Sequence, residues 1–400
     1  MSDTQPMSRK KVLVVLGTRP EVIKLAPVVM ELRRQGSKFN TIVCATGQHR
    51  EMLQQALGSF ALSPDYNLDV MRPHQSLAQV TTAVLDGIDH ILENTKPDVV
   101  LVQGDTTTTF AASLAAYYHR IPVGHVEAGL RTGDRYGPFP EEINRRLTTG
   151  LANFHFAPTE LARANLLRED ISDDQILVTG NTVVDALQYI VGTLQENPPQ
   201  GMPEIPDGRK LILVTAHRRE SFGQGLCQIC EAVRRLAESR ADTFVVFPVH
   251  LNPNVQELVH TMLAGIRNVL LLEPLDYVSF VAAMKRAHIL LTDSGGMQEE
   301  GPSLGKPVLV MRSVSERPEA VMVGAACLVG TDPGRIVATV ERLLDEPEYY
   351  EQMTSRGNPF GDGRASARIV NFLSRRLFGE VAEEASGLPT LVKVNIDDTH

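Results

Sequence analysis

The chain contains no tryptophan, and aromatic residues make up only 5% of its 400 positions. It therefore has few faces on which bases could stack. A basic excess is also missing. Lys and Arg number 39 against 48 Asp and Glu, a formal net charge of −9, so there is no basic excess to neutralise a nucleic-acid backbone. Cysteine is scarce: Cys44, Cys227, Cys230 and Cys327 are too scattered for a disulfide framework. Cys227 and Cys230 have a redox or metal spacing, but they fall inside a helix expected over 225–238 with no second ligand pair nearby, and read as packing. The first apolar run, 12–16, is too short for a signal peptide or a membrane span. No membrane association and a reducing cytoplasm are the expectation. Neither Gly-x-Gly-x-x-Gly nor a P-loop occurs. His49, His74, His217 and His250 lie in separate segments without ligand spacing, so no metal site is expected.

What is present is the make-up of a globular enzyme, with 43% hydrophobic and 22% charged residues. The length suggests two domains. Apolar β-type runs at 12–16, 39–45, 99–102, 122–126, 154–157 and 176–179 alternate with helical patterns at 19–34, through residue 52, and from 76 to about 95. After a Pro- and Gly-rich stretch at 195–208 the alternation restarts, with strands expected at 211–215, 243–249, 269–272, 289–292 and 307–311. This predicts an α/β fold: two Rossmann-like, doubly wound domains facing across a cleft. The acidic end, 381–400, is expected to be a flexible tail, with at most a strand at 391–394.

The stretch from Gln103 to Arg146 draws the argument together. Asp105 and Glu127 each follow an apolar run, and the carboxyl ends of parallel strands line the ligand crevice of such sheets. Pro140-Glu141-Glu142-Ile143-Asn144-Arg145-Arg146 starts a helix, with Pro at its first position and acids in its first turn. A plainer reading competes: Asp105 and the threonines after it could cap a helix, and Glu141 with Arg145, or Glu142 with Arg146, could be surface pairs. The chemical reading rests on these carboxylates meeting in one pocket.

Two further places suit anions. Gly17-Thr18-Arg19-Pro20-Glu21 turns from a strand into a helix that also carries Lys24. In the second half, Asp293-Ser294-Gly295-Gly296 follows a strand, offering close backbone approach, successive N–H groups and a hydroxyl. Glu299 or Glu300 could accept from a ribose diol, and Ala216-His217-Arg218-Arg219 adds cations.

These motifs, with Gly104-Asp105-Thr106, Gly124-His125-Val126-Glu127-Ala128-Gly129-Leu130-Arg131, Thr179-Gly180-Asn181-Thr182 and Glu316-Arg317-Pro318-Glu319, occur in one order. Over about residues 11–378 the chain resembles the non-hydrolysing UDP-N-acetylglucosamine 2-epimerases of bacteria. The resemblance implies the architecture of the B-type glycosyltransferases, with a first domain of 1–180 plus 363–380 and a second of 181–362. It implies a homodimer that interconverts UDP-GlcNAc and UDP-ManNAc for surface polysaccharides, with no cofactor. By motif, Arg19, Lys24, Asp105, Glu127, Glu141 and His217 match the family's active-site residues, and Arg145 is expected to bind substrate. Ser294, Gly295 and Gly296 match its pyrophosphate site, Glu300 the ribose contact, Arg317 a further nucleotide contact, and Leu275 and Phe280 the uracil site. Gln48, Arg218 and His250 match positions where relatives bind a second UDP-GlcNAc as activator.

Carbon 2 of such a sugar is not next to a carbonyl, so its proton is barely acidic. Expelling UDP from carbon 1 makes it removable and leaves 2-acetamidoglucal, to which UDP adds back. That route needs donors for the departing diphosphate and two carboxylates of different environment. A glycosyltransferase of the same fold, a hydrolysing epimerase releasing ManNAc and an idle nucleotide-sugar sensor remain open alternatives, although acids beside an anionic ligand ill suit a mere binder.

Overall fold

The computed structural model describes residues 8–47, 50–72, 74–196, 205–206, 208–216, 223–315 and 317–379. Contacts divide them into two compact units: the chain up to Gln188 together with the chain from Phe360, and Tyr189–Pro359.

Parallel strands covered on both faces must be apolar throughout. In the first unit β1 (Lys10–Leu16) and β4 (Val99–Gln103) meet this rule: Val12 to Leu16 and Val99 to Val102 are at most 1% exposed. With β2 (Phe39–Ala45), β3 (Tyr66–Asn67), β5 (Val123–Val126), β6 (Phe154–Ala157) and β7 (Ile176–Val178) they form a parallel sheet ordered β3-β2-β1-β4-β5-β6-β7. The last helix, Ala365–Phe378, belongs to this unit. Phe372 stacks edge-on against Phe154 and Phe156, with ring centroids 5.6 Å apart in each pair. Asp185 accepts hydrogen bonds from Ala365 N (3.1 Å), Ser366 N (2.8 Å) and Ser366 Oγ (2.6 Å), tying down that helix's first turn.

The second unit repeats the scheme with β8 (Lys210–Thr215), β9 (Thr243–Pro248), β10 (Val269–Leu272), β11 (Ile289–Thr292), β12 (Val308–Val310) and β13 (Ala326–Leu328), all parallel and ordered β10-β9-β8-β11-β12-β13. Both sheets reverse their strand order once, between β1 and β4 and between β8 and β11, and ligands of such folds bind at that reversal. Cys230 is fully buried in the second core, among Ile229, Val233 and Leu236, in agreement with packing as its role.

Local differences from the expected elements have physical reasons. The helix expected to run through Met52 is Arg50–Ser59. Pro140 is the N-cap, so the helix Glu141–Leu151 starts one residue later than expected. Short β3 and β13 escaped notice because two or three residues carry no readable period. The expected strand at 391–394 lies outside the described residues. Among the described residues no helix is long and apolar enough to cross a membrane.

Candidate active site

The first unit's reversal point begins with a close approach. A Cβ on Gly17 would stand 2.5 Å from both Thr46 Oγ1 and Thr108 Oγ1, hydroxyls that themselves lie 3.1 Å apart. Thr18 then caps the helix Arg19–Arg34 in a reciprocal box with Glu21. Glu21 does more than cap. One carboxylate oxygen accepts from Gly17 N (3.0 Å) and Thr18 N (2.6 Å), and the other from Thr106 Oγ1 (2.8 Å) and Thr109 Oγ1 (3.3 Å). It thereby laces the loop after β1 to the loop after β4. Burial raises its pKa against the pull of its hydrogen bonds with Thr106, Thr18 and Gly17.

The same helix carries Arg19 at its first position and sends Lys24 inward, where Nζ donates to Glu127 Oε2 at 2.6 Å. Gln103 Nε2 donates to the same oxygen. Glu127 is only 7% exposed and has φ +65°, in the left-handed region, a strain of order 1–3 kcal/mol that persists only where the surroundings over-determine it. Asp105 sits on the adjacent strand end, since Gln103 is in register with Val126 and Gly104 N donates to Val126 O at 3.0 Å. The Arg145 guanidinium donates to Asp105 Oδ2, and Asn144 Nδ2 to Asp105 O at 3.0 Å. Glu141 opens the helix that brings both residues to Asp105, one turn before Arg145 and therefore on its side.

Of the remaining charged groups in this stretch, Glu142 is structural. Fully buried, it accepts from Thr132 N (3.1 Å), Gly133 N (3.4 Å), Arg145 Nη1 (3.3 Å) and Arg146 Nε (3.2 Å), and so anchors the loop before its own helix. Arg131 is engaged by Glu169 at 2.6 Å. Of the two i,i+4 pairs in the plainer reading, Glu142 with Arg146 forms at 3.2 Å, whereas Arg145 pairs with Asp105 and Glu142. On β5 and β6, His125 and His155 are in register and fully buried, and burial lowers their pKa values to about 4 and about 3.

In the second unit β11 leads into fully buried Asp293, then Ser294, whose N donates to Thr292 Oγ1 at 2.9 Å. Ser294 starts the short helix Gly295–Glu300 without capping it through its side chain. Glu300 accepts from Tyr277 Oη at 2.8 Å, and its Oε2 would be 3.6 Å from a Cβ on Gly296, so the carboxylate lies over that glycine. The Arg317 guanidinium holds Glu299. Leu275 and Phe280, both half-buried, flank the Asp276-capped start of the helix Tyr277–Arg286. His250 is exposed after β9, its Nδ1 accepting from Asn252 N at 3.1 Å. His217, Arg218 and Gln48 lie outside the described residues.

The structure thus brings Lys24, Asp105, Glu127, Glu141 and Arg145 to one end of one sheet, and Ser294 to Gly296 with Glu300 to the matching end of the other. Sequence reading passed over Glu21, Gln103, His125 and Asn144. Their signal was a polar residue ending or interrupting an apolar run, or sharing a helix face with a charged one. Among the described residues Asp89, His90 and Glu93 could gather around a metal ion. They are largely exposed near the C-terminus of the helix Leu77–Thr95, which runs into β4 and so lies at the opposite end of the sheet from Asp105.

Comparison with known proteins agrees with this fold. Residues 30–374 match the family described as UDP-N-acetylglucosamine 2-epimerase. The UDP-N-acetylglucosamine 2-epimerase of Salmonella typhimurium is 55% identical over 369 residues, covering 91% of this chain and 98% of that protein. The crystal structure of the Neisseria meningitidis UDP-GlcNAc 2-epimerase bound to UDP-GlcNAc superposes with a TM-score of 0.86 at 51% identity, covering 91% of this chain and 99% of that one. The Staphylococcus aureus MnaA–UDP structure gives 0.86 at 44% identity, covering 95% and 100%. Fold, strand-end carboxylates and relatedness along nearly the whole length converge: the chain belongs to the UDP-N-acetylglucosamine 2-epimerase family.

Proposed function

We propose that this protein is an isomerase that interconverts UDP-GlcNAc and UDP-ManNAc by inverting carbon 2 and keeps the nucleotide attached in the product. The observation that carries the reading is the pairing beside the first reversal point: Asp105 and Glu127 stand at the adjacent ends of β4 and β5, each with its own cation, Arg145 and Lys24. Relatives support the substrate, since one similar structure holds UDP-GlcNAc and another UDP.

In the forward direction the C1–O bond to the diphosphate breaks with its electron pair going to UDP, and C2 loses a proton to a carboxylate. The products are 2-acetamidoglucal and UDP. Return of a proton to the opposite face of C2 and of UDP to C1 completes the inversion. Asp105 and Glu141 are assigned the proton transfers, with Glu127 orienting or sharing the proton. Arg19, His217 and the Ser294-Gly295-Gly296 turn are assigned the departing diphosphate, where fixed donors stabilise developing charge. Glu300 takes the ribose, Arg317 a further nucleotide contact, and Leu275 and Phe280 the uracil. A cytoplasmic homodimer supplying surface polysaccharide, activated through Gln48, Arg218 and His250 by a second UDP-GlcNAc, completes the proposal.

Incubation with UDP-GlcNAc alone is the test. UDP-ManNAc in equilibrium with substrate, with solvent deuterium at carbon 2, is the expected result. Free ManNAc with UDP would move the protein to the hydrolysing type, and no conversion would return it to the transferase or sensor readings.

A further inference from the structure

The turn that carries Asp105 is fastened from three directions by side chains with no assigned part in the reaction. Glu21 accepts from Thr106 Oγ1 (2.8 Å), Asn144 donates to Asp105 O (3.0 Å), and His125 Nε2 lies 2.7 Å from Gly104 O. The third contact is the most telling. Gly104 has φ +73°, so the chain leaves the sheet there, and its carbonyl has no strand partner to turn to. A carbonyl can only accept, so Nε2 must carry the imidazole hydrogen, leaving Nδ1 bare. Nδ1 is buried without a hydrogen-bond partner. An imidazolium would need to place a second N–H there, and burial accordingly drives the His125 pKa down to about 4. A buried histidine in the middle of an apolar strand thus serves as a neutral, one-sided donor aimed at the peptide joining Gly104 to Asp105.

We propose that His125 is the positioning residue for Asp105: by donating from Nε2 to Gly104 O it fixes the peptide from which the Asp105 carboxylate projects, and so sets that carboxylate's place relative to carbon 2 of the sugar. This rests on the epimerase reading above and deepens it. His125 itself exchanges no proton with substrate. Its contribution is geometric, and geometry of this kind appears in turnover more than in substrate affinity, because ground-state binding uses other contacts.

The side-chain series that tests it is His125→Gln, His125→Asn and His125→Met. A glutamine amide nitrogen reaches about where Nε2 stands, an asparagine amide reaches only as far as Nδ1, and methionine fills similar volume with no donor. Wild-type enzyme is assayed first with UDP-GlcNAc; failure to form UDP-ManNAc would sink the functional reading and this inference with it. Given an active wild type, His125→Asn and His125→Met are expected to lose about 100-fold in kcat, the scale of an ångström-sized misplacement. KM should stay within about threefold, and deuterium incorporation at carbon 2 should fall in parallel with kcat. His125→Gln should recover most of kcat. Thermal melting of all three separates this from a purely structural role, in which kcat would follow melting temperature whatever the donor's reach. Equal turnover in the Gln and Asn variants, full turnover in the Met variant, or a loss confined to KM would each overturn the assignment. If His125→Met does not fold, the Gln-against-Asn contrast alone decides.

Discussion

After β4 the first unit places Gly104-Asp105-Thr106, and after β11, the same topological position, the second places Asp293-Ser294-Gly295-Gly296. In the first, Thr106 caps the following helix through its own side chain, accepting from Thr109 N at 3.1 Å, and the polar group left over is a carboxylate. In the second the helix has no side-chain cap, and hydroxyl, glycines and backbone N–H groups are what the turn presents. On the proposed reading, two similar sheets are finished for opposite tasks, one for moving protons and the other for holding negative charge. The difference lies in three or four residues at a strand end, not in the fold.

The largest expected effect separates those tasks. Asp105→Asn should lower kcat by about a thousandfold, within the range for losing a general acid or base, and abolish deuterium uptake at carbon 2. UDP affinity should change by less than about threefold, since that binding is assigned elsewhere. Ser294→Ala should do the reverse, weakening UDP about tenfold, the scale of one lost hydrogen bond to a charged ligand, with exchange at saturating substrate largely kept. Calorimetric titration with UDP and proton NMR of the sugar read both. Equal losses in both measurements for both variants would erase the division of labour.

Next in size is a contrast between two glycines. Gly17→Ala puts a methyl 2.5 Å from two buried hydroxyls, so the loss falls on folding: about 1–3 kcal/mol in urea denaturation, the usual cost of overpacking. Among the described residues Gly296→Ala meets nothing nearer than 3.6 Å and should leave stability within about 0.5 kcal/mol, while the added methyl keeps a diphosphate from the backbone. UDP binding, not melting, should register that change. A Gly296→Ala protein that binds UDP normally would remove the turn from the nucleotide site.

Much of this was legible in the order of residues. Apolar runs ending in Gly-Asp, in Glu and in Asp-Ser-Gly-Gly marked the strand ends, because parallel strands buried on both faces leave their polar residues for the carboxyl edge. The contact partners were not legible. Arg145 lies four residues after Glu141 and invites a local pair, yet it reaches Asp105, forty residues back, because the helix is delivered to the end of β4 by the sheet. Glu142 looked equivalent to Glu141, and only the folded loop at 132–133 shows it to be occupied. Nor could Glu21 be told from an ordinary capping acid until the β4 loop had come within reach of its second oxygen.

The smallest effect concerns acid. His125 and His155 are buried and neutral, with pKa values pushed from 6.5 to about 4 and about 3, whereas unfolding returns each to near 6.5. Between those limits the unfolded chain binds more protons, so their contribution is fully present above pH 6.5 and is lost as pH falls towards 4. Glu21 and Asp185 in the same unit act oppositely: burial raises both, the folded state takes up their protons first, and stability gains as pH falls towards their ordinary values of 4.5 and 3.8. Total acid sensitivity mixes the two sets, but a difference between variants does not. His155→Leu should reduce the pH slope of the unfolding free energy between pH 4 and 6 by up to one proton, about 1.4 kcal/mol per pH unit. In the second unit His288 is also lowered to about 4, stacked on Tyr350 with ring centroids 4.3 Å apart, but it is only half-buried. Water can share its charge, and His288→Leu should alter the slope less. Urea titrations of the three proteins across that range rank them, and a slope unchanged by His155→Leu would mean that the buried imidazole is already protonated in the native state.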